Sequence, residues 1–261
     1  MRLVKQNFHT HTNFCDGANS VEEMTQAAIK CGLTSLGFSS HAYTPHDESY
    51  CMKLEDYEKY RDEVLSAKEK YKSQIKIYLG IEQDYYSVPP TIDLDYIIGS
   101  VHYVEKDGVI TPVDETREHI ENAVKNIYGD IYTFIEKYYQ TVADVVNKTN
   151  CDIIGHFDLC EKFNGDGTLF DRENPRYINA YKKAVDQLIP SGKIFEINTG
   201  AMARGYTDFP YPHKNILDYI SKCGGKFIIS SDSHSVDTVD YKLESVYNYA
   251  STILNLNLIT K

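Results

Sequence analysis

Apolar and polar positions along this chain follow two rhythms in turn. Short, largely apolar runs are separated by longer stretches in which apolar residues return every three or four positions, the pattern of strands alternating with amphipathic helices. The first run, residues 4–12, reads Val-Lys-Gln-Asn-Phe-His-Thr-His-Thr. Ser20-Val21-Glu22-Glu23 then has capping-box spacing, helical periodicity runs over 21–31, and Gly32 stops it. Further strands are predicted at 33–39, 75–81, 96–101, 152–155, 193–197 and 226–230. Helices are predicted at 54–71, 115–126, 131–147, 175–188, 214–222 and 241–251, with a break near Gly129 and a loop over 103–112. Seven strands alternating with helices, with no low-complexity linker and no repeat, predict an α/β fold whose parallel sheet forms an incomplete or distorted barrel.

Length changes that picture little: 261 residues suit one barrel domain spanning 1–261. A hydrophobic content of 42% and a charged content of 25% are those of an ordinary globular chain. The net charge of −11 argues against a nucleic-acid backbone or an anionic membrane as partner. It leaves an anionic substrate open, because bound cations reverse the sign inside a cleft. Six cysteines lie apart without a C-x-x-C pair and read as reduced thiols. With no signal-peptide core and no apolar stretch of about 20 residues, a cytoplasmic protein is expected.

Chemistry in parallel α/β folds gathers at the carboxyl ends of the strands. The predicted ends carry His9 and His11, His41, Glu82, His102, His156, Asn198, and Asp232 with His234, and Asp16 follows the first end within a loop. Side chains two apart on an extended chain share a face, so His9 and His11 can reach one point. Singly, each histidine reads better as a satisfied core or capping residue; six of nine at strand ends do not. Six imidazoles and three carboxylates exceed the four to six ligands of one ion and suit two or three divalent ions (Zn, Mn or Fe), bridged by a carboxylate such as Glu82. Clustered cations suit phosphoester hydrolysis, where they lower the pKa of a bridging water and neutralise the phosphoryl oxygens.

His9-Thr10-His11 with Asp16-Gly17, the isolated His41, Gly80-Ile81-Glu82, Gly99-Ser100-Val101-His102, Gly155-His156 and Ser231-Asp232-Ser233-His234 resemble the ordered motifs of the PHP (polymerase and histidinol phosphatase) superfamily. The resemblance is closest to its histidinol-phosphatase branch, which also has an E-x-N-T segment, here Glu196-Ile197-Asn198-Thr199. It implies a distorted (β/α)7 barrel with a trinuclear centre. His9, His11, Glu82 and Asp232 would hold the first ion, Glu82, His102 and His156 the second, and Asp16, His41 and His234 the third. It further implies that a metal-bridging hydroxide is the nucleophile, with no protein side chain identified as catalytic. Arg204, in the loop beyond the sixth strand, matches a phosphate-binding arginine, and Lys162 is an imperfect match to a second basic residue.

The expected activity is hydrolysis of the small-molecule ester L-histidinol phosphate, in histidine biosynthesis. The alternatives are the same chemistry on a nucleotide or sugar phosphate, and a non-catalytic metal-binding regulatory module. His46, His119 and His213 read as surface or capping residues, Cys15 as a buried thiol, and Asn164-Gly165-Asp166-Gly167 as a turn lacking the acidic end of a calcium loop.

Overall fold

A computed structural model gives the fold and describes residues 4–253 and 257–258. Its strands are β1 (Gln6–Asn7), β2 (Ser35–Phe38), β3 (Lys76–Asp84), β4 (Tyr96–Ser100), β5 (Tyr103–Lys106), β6 (Val109–Pro112), β7 (Ile153–Ile154), β8 (Ile194–Asn198), β9 (Lys226–Ser230) and β10 (Asn257–Leu258). The α-helices are α1 (Val21–Lys30), α2 (Tyr57–Lys70), α3 (Arg117–Ala123), α4 (Ile131–Thr149), α5 (Pro175–Leu188), α6 (Gly200–Ala203), α7 (Lys214–Lys222) and α8 (Leu243–Ile253).

The main sheet runs β1-β2-β3-β4-β7-β8-β9-β10, every neighbouring pair parallel. Seven of these strands are the staves of a distorted (β/α)7 barrel. Its seam closes just past the ends of β1 and β9, where His11 N–H donates to Ser233 O at 2.8 Å and Ser233 N–H to His9 O at 3.1 Å. Lower down, β10 takes the edge of β9, with Asn257 opposite Lys226. That eighth strand lies beyond the elements expected from sequence.

The alternation of side chains across each strand divides the barrel interior into two layers. Phe8, Tyr96, Ile98, Ile153, Ile194 and Ile228 form the apolar floor. Two residues further along the same faces stand Ser100 and Glu196, and Glu82 follows the partly buried Tyr78 by four. The floor is filled by the Tyr96 ring, whose hydroxyl lies 2.7 Å from Phe8 O and 2.9 Å from Phe38 O. Its bulk fits because β3 presents Gly80 to it: a Cβ there would meet the ring at 2.3 Å. Outside the sheet, helices bury their apolar stripes; α4, for example, covers it with Phe134, Ile135, Tyr138 and Val142.

Local chemistry explains most boundaries. Ser20 and Glu23 form the reciprocal capping box of α1, and Gly32 follows its end at φ +77°. Helices α5 and α7 begin and end as their periodicity predicts. Residues 103–112 are a correction: they form the antiparallel hairpin β5–β6, turning on Asp107-Gly108 with both residues at positive φ. The helix expected over 115–126 is α3 followed by a π-helical turn, Val124–Tyr128, ended by Gly129. Strand β3 runs three residues past its expected end, so Glu82 lies within the strand rather than beyond it. All six cysteines are free thiols, and among the described residues no helix is long and apolar enough to cross a membrane.

Candidate metal centre

The carboxyl ends of the staves bring all nine expected ligands into one cluster, organised around Glu82. Its Oε2 lies 3.0 Å from His9 Nε2, 3.3 Å from His11 Nε2 and 3.1 Å from His41 Nδ1. Its Oε1 lies 2.9 Å from His156 Nε2 and 3.6 Å from His102 Nε2, and takes a hydrogen bond from Ser100 Oγ. Five imidazoles and a hydroxyl exceed the roughly four hydrogen bonds that one carboxylate accepts. Asp232, held at φ 50°, points Oδ1 at His11 Nε2 (3.3 Å), His9 Nε2 (3.6 Å) and His234 Nδ1 (3.6 Å). Asp16 reaches from its loop to His234 Nε2 at 3.3 Å and to His11 Nδ1 and His41 Nε2 at 3.8 Å.

Two tests ask whether this set fits cations. Zn–N bonds of about 2.0–2.1 Å put tetrahedral ligands about 3.3 Å apart, and the separations above cluster there. Buried imidazole nitrogens are also left without a hydrogen-bond partner: His11 Nε2, His102 Nδ1 and His156 Nδ1. His11 Nε2 is the telling one, since it stands between two carboxylates yet bonds to neither. The donor set fits divalent ions. Three groups have ligand atoms within 4.8 Å of one another: His9, His11 and Glu82; His41, Glu82 and His102; and His11, Asp16, His41 and His234. These differ from the expected partition in two respects: His11 and His41 each belong to two groups, and neither Asp232 nor His156 falls within any of the three.

Electrostatics says the same. Burial opposes ionisation of Glu82, but the charges of His9 and His41 outweigh it and hold the carboxyl well below its ordinary range. Burial is likewise overcome at Asp232, by Arg204 and His9. Burial works against charge on His9, yet Glu196, Glu82 and Asp232 push its pKa up. His102 is raised to about 9 against burial by Asp84 and Glu82, while burial brings His41 down to about 3. Protons thus share the cluster unevenly, and bound cations would displace them.

Buried partners set the rings in place: Glu196 and Asn198, noted in the sequence only as part of the E-x-N-T segment and as a strand end, and Asp84, which sequence reasoning did not single out. Glu196 Oε1 lies 2.7 Å from His9 Nδ1, and its Oε2 accepts from His156 N–H (2.9 Å) and Asn198 Nδ2 (3.0 Å). Asp84 Oδ2 accepts the backbone N–H of His102 at 2.7 Å and lies 3.4 Å from that ring's Nδ1. Such outer carboxylates fix the tautomer and orientation of a metal-binding ring. The signals for Glu196 were its place in the E-x-N-T segment and a lone charge inside an apolar strand. Asn198 both supports Glu196 and accepts Gly200 N–H at 2.8 Å.

The cluster forms the base of a cleft of about 360 Å³. Arg204 stands on its wall, giving Nη2 to Asp232 Oδ2 (2.9 Å) with Nη1 3.1 Å from His234 Nδ1. Lys162 also lines it, but its ammonium is tied to Asp114, donating to the backbone O at 2.5 Å and lying 3.2 Å from Oδ2. His46, His119 and His213 lie outside the cluster: His46 packs edge-on against Tyr103, His119 pairs with Glu115, and His213 caps α7. Cys15 is half-buried rather than buried, with Sγ 3.5 Å from His11 Nδ1. Residues 164–167 form a turn, closed by Gly167 N–H on Asn164 O.

The PHP domain family model matches residues 7–200. A protein of Schizosaccharomyces pombe called a probable histidinol-phosphatase is 29% identical, over 97% of this chain and 89% of its own. Among solved structures, a putative histidinol phosphatase from Listeria monocytogenes superposes with a TM-score of 0.79 at 21% identity, over 92% of this chain and 99% of that one. The histidinol phosphate phosphatase of Lactococcus lactis, solved with zinc, L-histidinol and phosphate, gives 0.71 at 19% identity, over 98% and 95%.

Proposed function

The chain belongs to the PHP domain family, and from that premise we propose that it is a metal-dependent phosphomonoesterase, a single barrel domain over residues 1–261, that hydrolyses L-histidinol phosphate to L-histidinol and phosphate. The observation that carries this reading is the convergence of six imidazoles and three carboxylates beside Arg204 in one cleft. The names of relatives support the substrate, and the Lactococcus lactis enzyme was solved with the corresponding alcohol and phosphate.

Asp16, Glu82 and Asp232 bring three carboxylates into the cleft beside Arg204 and Lys162, and divalent ions held there would turn the site toward an anionic phosphate ester. In our assignment His9, His11, Glu82 and Asp232 hold one ion, Glu82, His102 and His156 a second, and Asp16, His41 and His234 a third. Two or three divalent ions held there would supply an activated water and neutralise charge on the phosphoryl oxygens. The residues do the positioning. Glu196 holds the His9 ring with Nε2 toward Glu82. Arg204, its guanidinium already oriented by Asp232, offers its remaining N–H groups to the phosphoryl oxygens. Lys162, which lines the same cleft, adds a second cation if it leaves Asp114. The fold and activity fit an enzyme of the cytoplasm acting on a small molecule.

The test is phosphate release from L-histidinol phosphate by wild type and His11→Ala, with metal content and circular dichroism measured on both. Loss of metal and turnover together in a folded variant is expected. A folded, fully active His11→Ala would overturn the assignment.

A further inference from the structure

From the histidine cluster the cleft runs outward along an aromatic wall. Tyr50 meets His41 edge-on at 4.8 Å, and its ring lies 6.2 Å from His102. Tyr103 follows, 6.3 Å from Tyr50, and its hydroxyl donates to Asp47 Oδ2 at 2.8 Å. Tyr50, Tyr103 and Asp47 all line the same cleft as Arg204.

The charges along that path are unbalanced. Arg204 is engaged with Asp232 and Lys162 with Asp114. Asp47 takes hydrogen bonds from neutral groups: Ser49 N–H (3.0 Å) and hydroxyl (2.6 Å) on Oδ1, and Tyr103 on Oδ2. Among the described residues no lysine or arginine pairs with it within 4 Å, and the neighbouring group whose charge acts on it is the His46 imidazole, packed edge-on against Tyr103. A carboxylate accepts up to about four hydrogen bonds, so Asp47 retains acceptor capacity while being held in a fixed orientation. The cleft that Arg204 lines also holds Tyr50, Tyr103 and Asp47, so a phosphomonoester with its phosphate against Arg204 has these residues within the same cavity for its alcohol portion. Aromatic faces and a carboxylate together favour a cation over a neutral group.

We propose that Asp47, positioned by Tyr103 and flanked by Tyr50, is a specificity-determining residue that binds a cationic group, an ammonium or a protonated ring, on the alcohol portion of the substrate. The proposal rests on the phosphomonoesterase reading above and adds the residues that select the ester. Binding of this kind is equal in ground and transition states, so its loss raises KM and leaves kcat alone.

The experiment compares wild type, Asp47→Asn and Tyr103→Phe on L-histidinol phosphate and on p-nitrophenyl phosphate, whose alcohol portion is uncharged. For Asp47→Asn, KM for the cationic ester should rise about 10- to 100-fold, the scale of a hydrogen bond to a charged group, with kcat within about twofold. Kinetics on p-nitrophenyl phosphate and inhibition by inorganic phosphate should not change. Tyr103→Phe keeps the ring and frees the carboxylate, so it should shift KM in the same direction by less, and it carries the test if Asp47→Asn does not fold. An equal loss on both esters, or none on either, overturns the assignment and leaves Asp47 a loop anchor. If wild type hydrolyses neither ester, the phosphomonoesterase reading itself has failed. If it hydrolyses both and the variants do not discriminate, only the role of Asp47 falls.

Discussion

Replacing Glu196 with Gln removes one charge and almost no volume, yet its hydrogen bonds leave the amide no good orientation. The carboxylate serves three groups: His9 Nδ1 at 2.7 Å on one oxygen, and His156 N–H at 2.9 Å and Asn198 Nδ2 at 3.0 Å on the other. If the Gln oxygen stays with His9, its NH2 faces two donors and two bonds are lost. If the amide flips, its NH2 faces His9 Nδ1, which must then become an acceptor. The ring proton moves to Nε2, the nitrogen 3.0 Å from Glu82, where a metal ion would bind. Either outcome costs about 1–3 kcal/mol for a buried polar group left unpaired. That corresponds to the roughly 10- to 100-fold loss of metal affinity typical when an outer partner of a ligating histidine is changed. The assay is competition for Zn against a chromophoric chelator, with circular dichroism to show that the barrel is intact. An affinity within about twofold of wild type, in a folded variant, would refute the role given to Glu196.

Gly80→Ala should destabilise the barrel by about 1–3 kcal/mol, because the new Cβ would stand 2.3 Å from the Tyr96 ring in a filled floor; an unchanged melting temperature would contradict that packing. Arg204→Ala should raise KM for a phosphomonoester and weaken inhibition by inorganic phosphate about 10- to 100-fold. Unchanged kinetics would move the phosphate contact elsewhere. Metal affinity should increase with pH from about 6.5 to 9. The metal-free His9 and His11 have raised pKa values and His102 titrates near 9, so cations must displace protons, and fewer remain to be displaced at higher pH. Titration calorimetry in buffers of different ionisation enthalpy reads the protons released, and a pH-independent affinity with no release would contradict this.

The alternation of strand and helix made the barrel legible, because a stave buried on both faces is an apolar run that sequence displays directly. The cluster was legible for a related reason: His9, His11, His41, His102, His156 and His234 all stand where apolar runs stop. Hydropathy misplaced the end of β3 for the same cause, since the strand continues through Glu82, Gln83 and Asp84, polar residues that are nonetheless buried. The β5–β6 hairpin carried its signal in Asp107-Gly108, but its exposed Val109 and Ile110 give no half-buried alternation. Strand β10 contributes two paired residues, too few to show a period. Glu196 was visible as a charge within Ile194-Phe195-Glu196-Ile197; its partner His9 lies 187 residues away and only the closed barrel joins them. Asp47 sits in an irregular loop, and nothing in the chain foretells its contact with Tyr103.

The most direct measurement is phosphate release from L-histidinol phosphate by metal-replete protein, beside a panel of nucleotide and sugar phosphates. A kcat/KM of about 10⁴ to 10⁸ M⁻¹s⁻¹ for L-histidinol phosphate, with the panel far slower, is the expected result. Slow turnover without preference would contradict the substrate and leave the metal chemistry standing. No turnover of any ester, by protein that retains its metal, would contradict both.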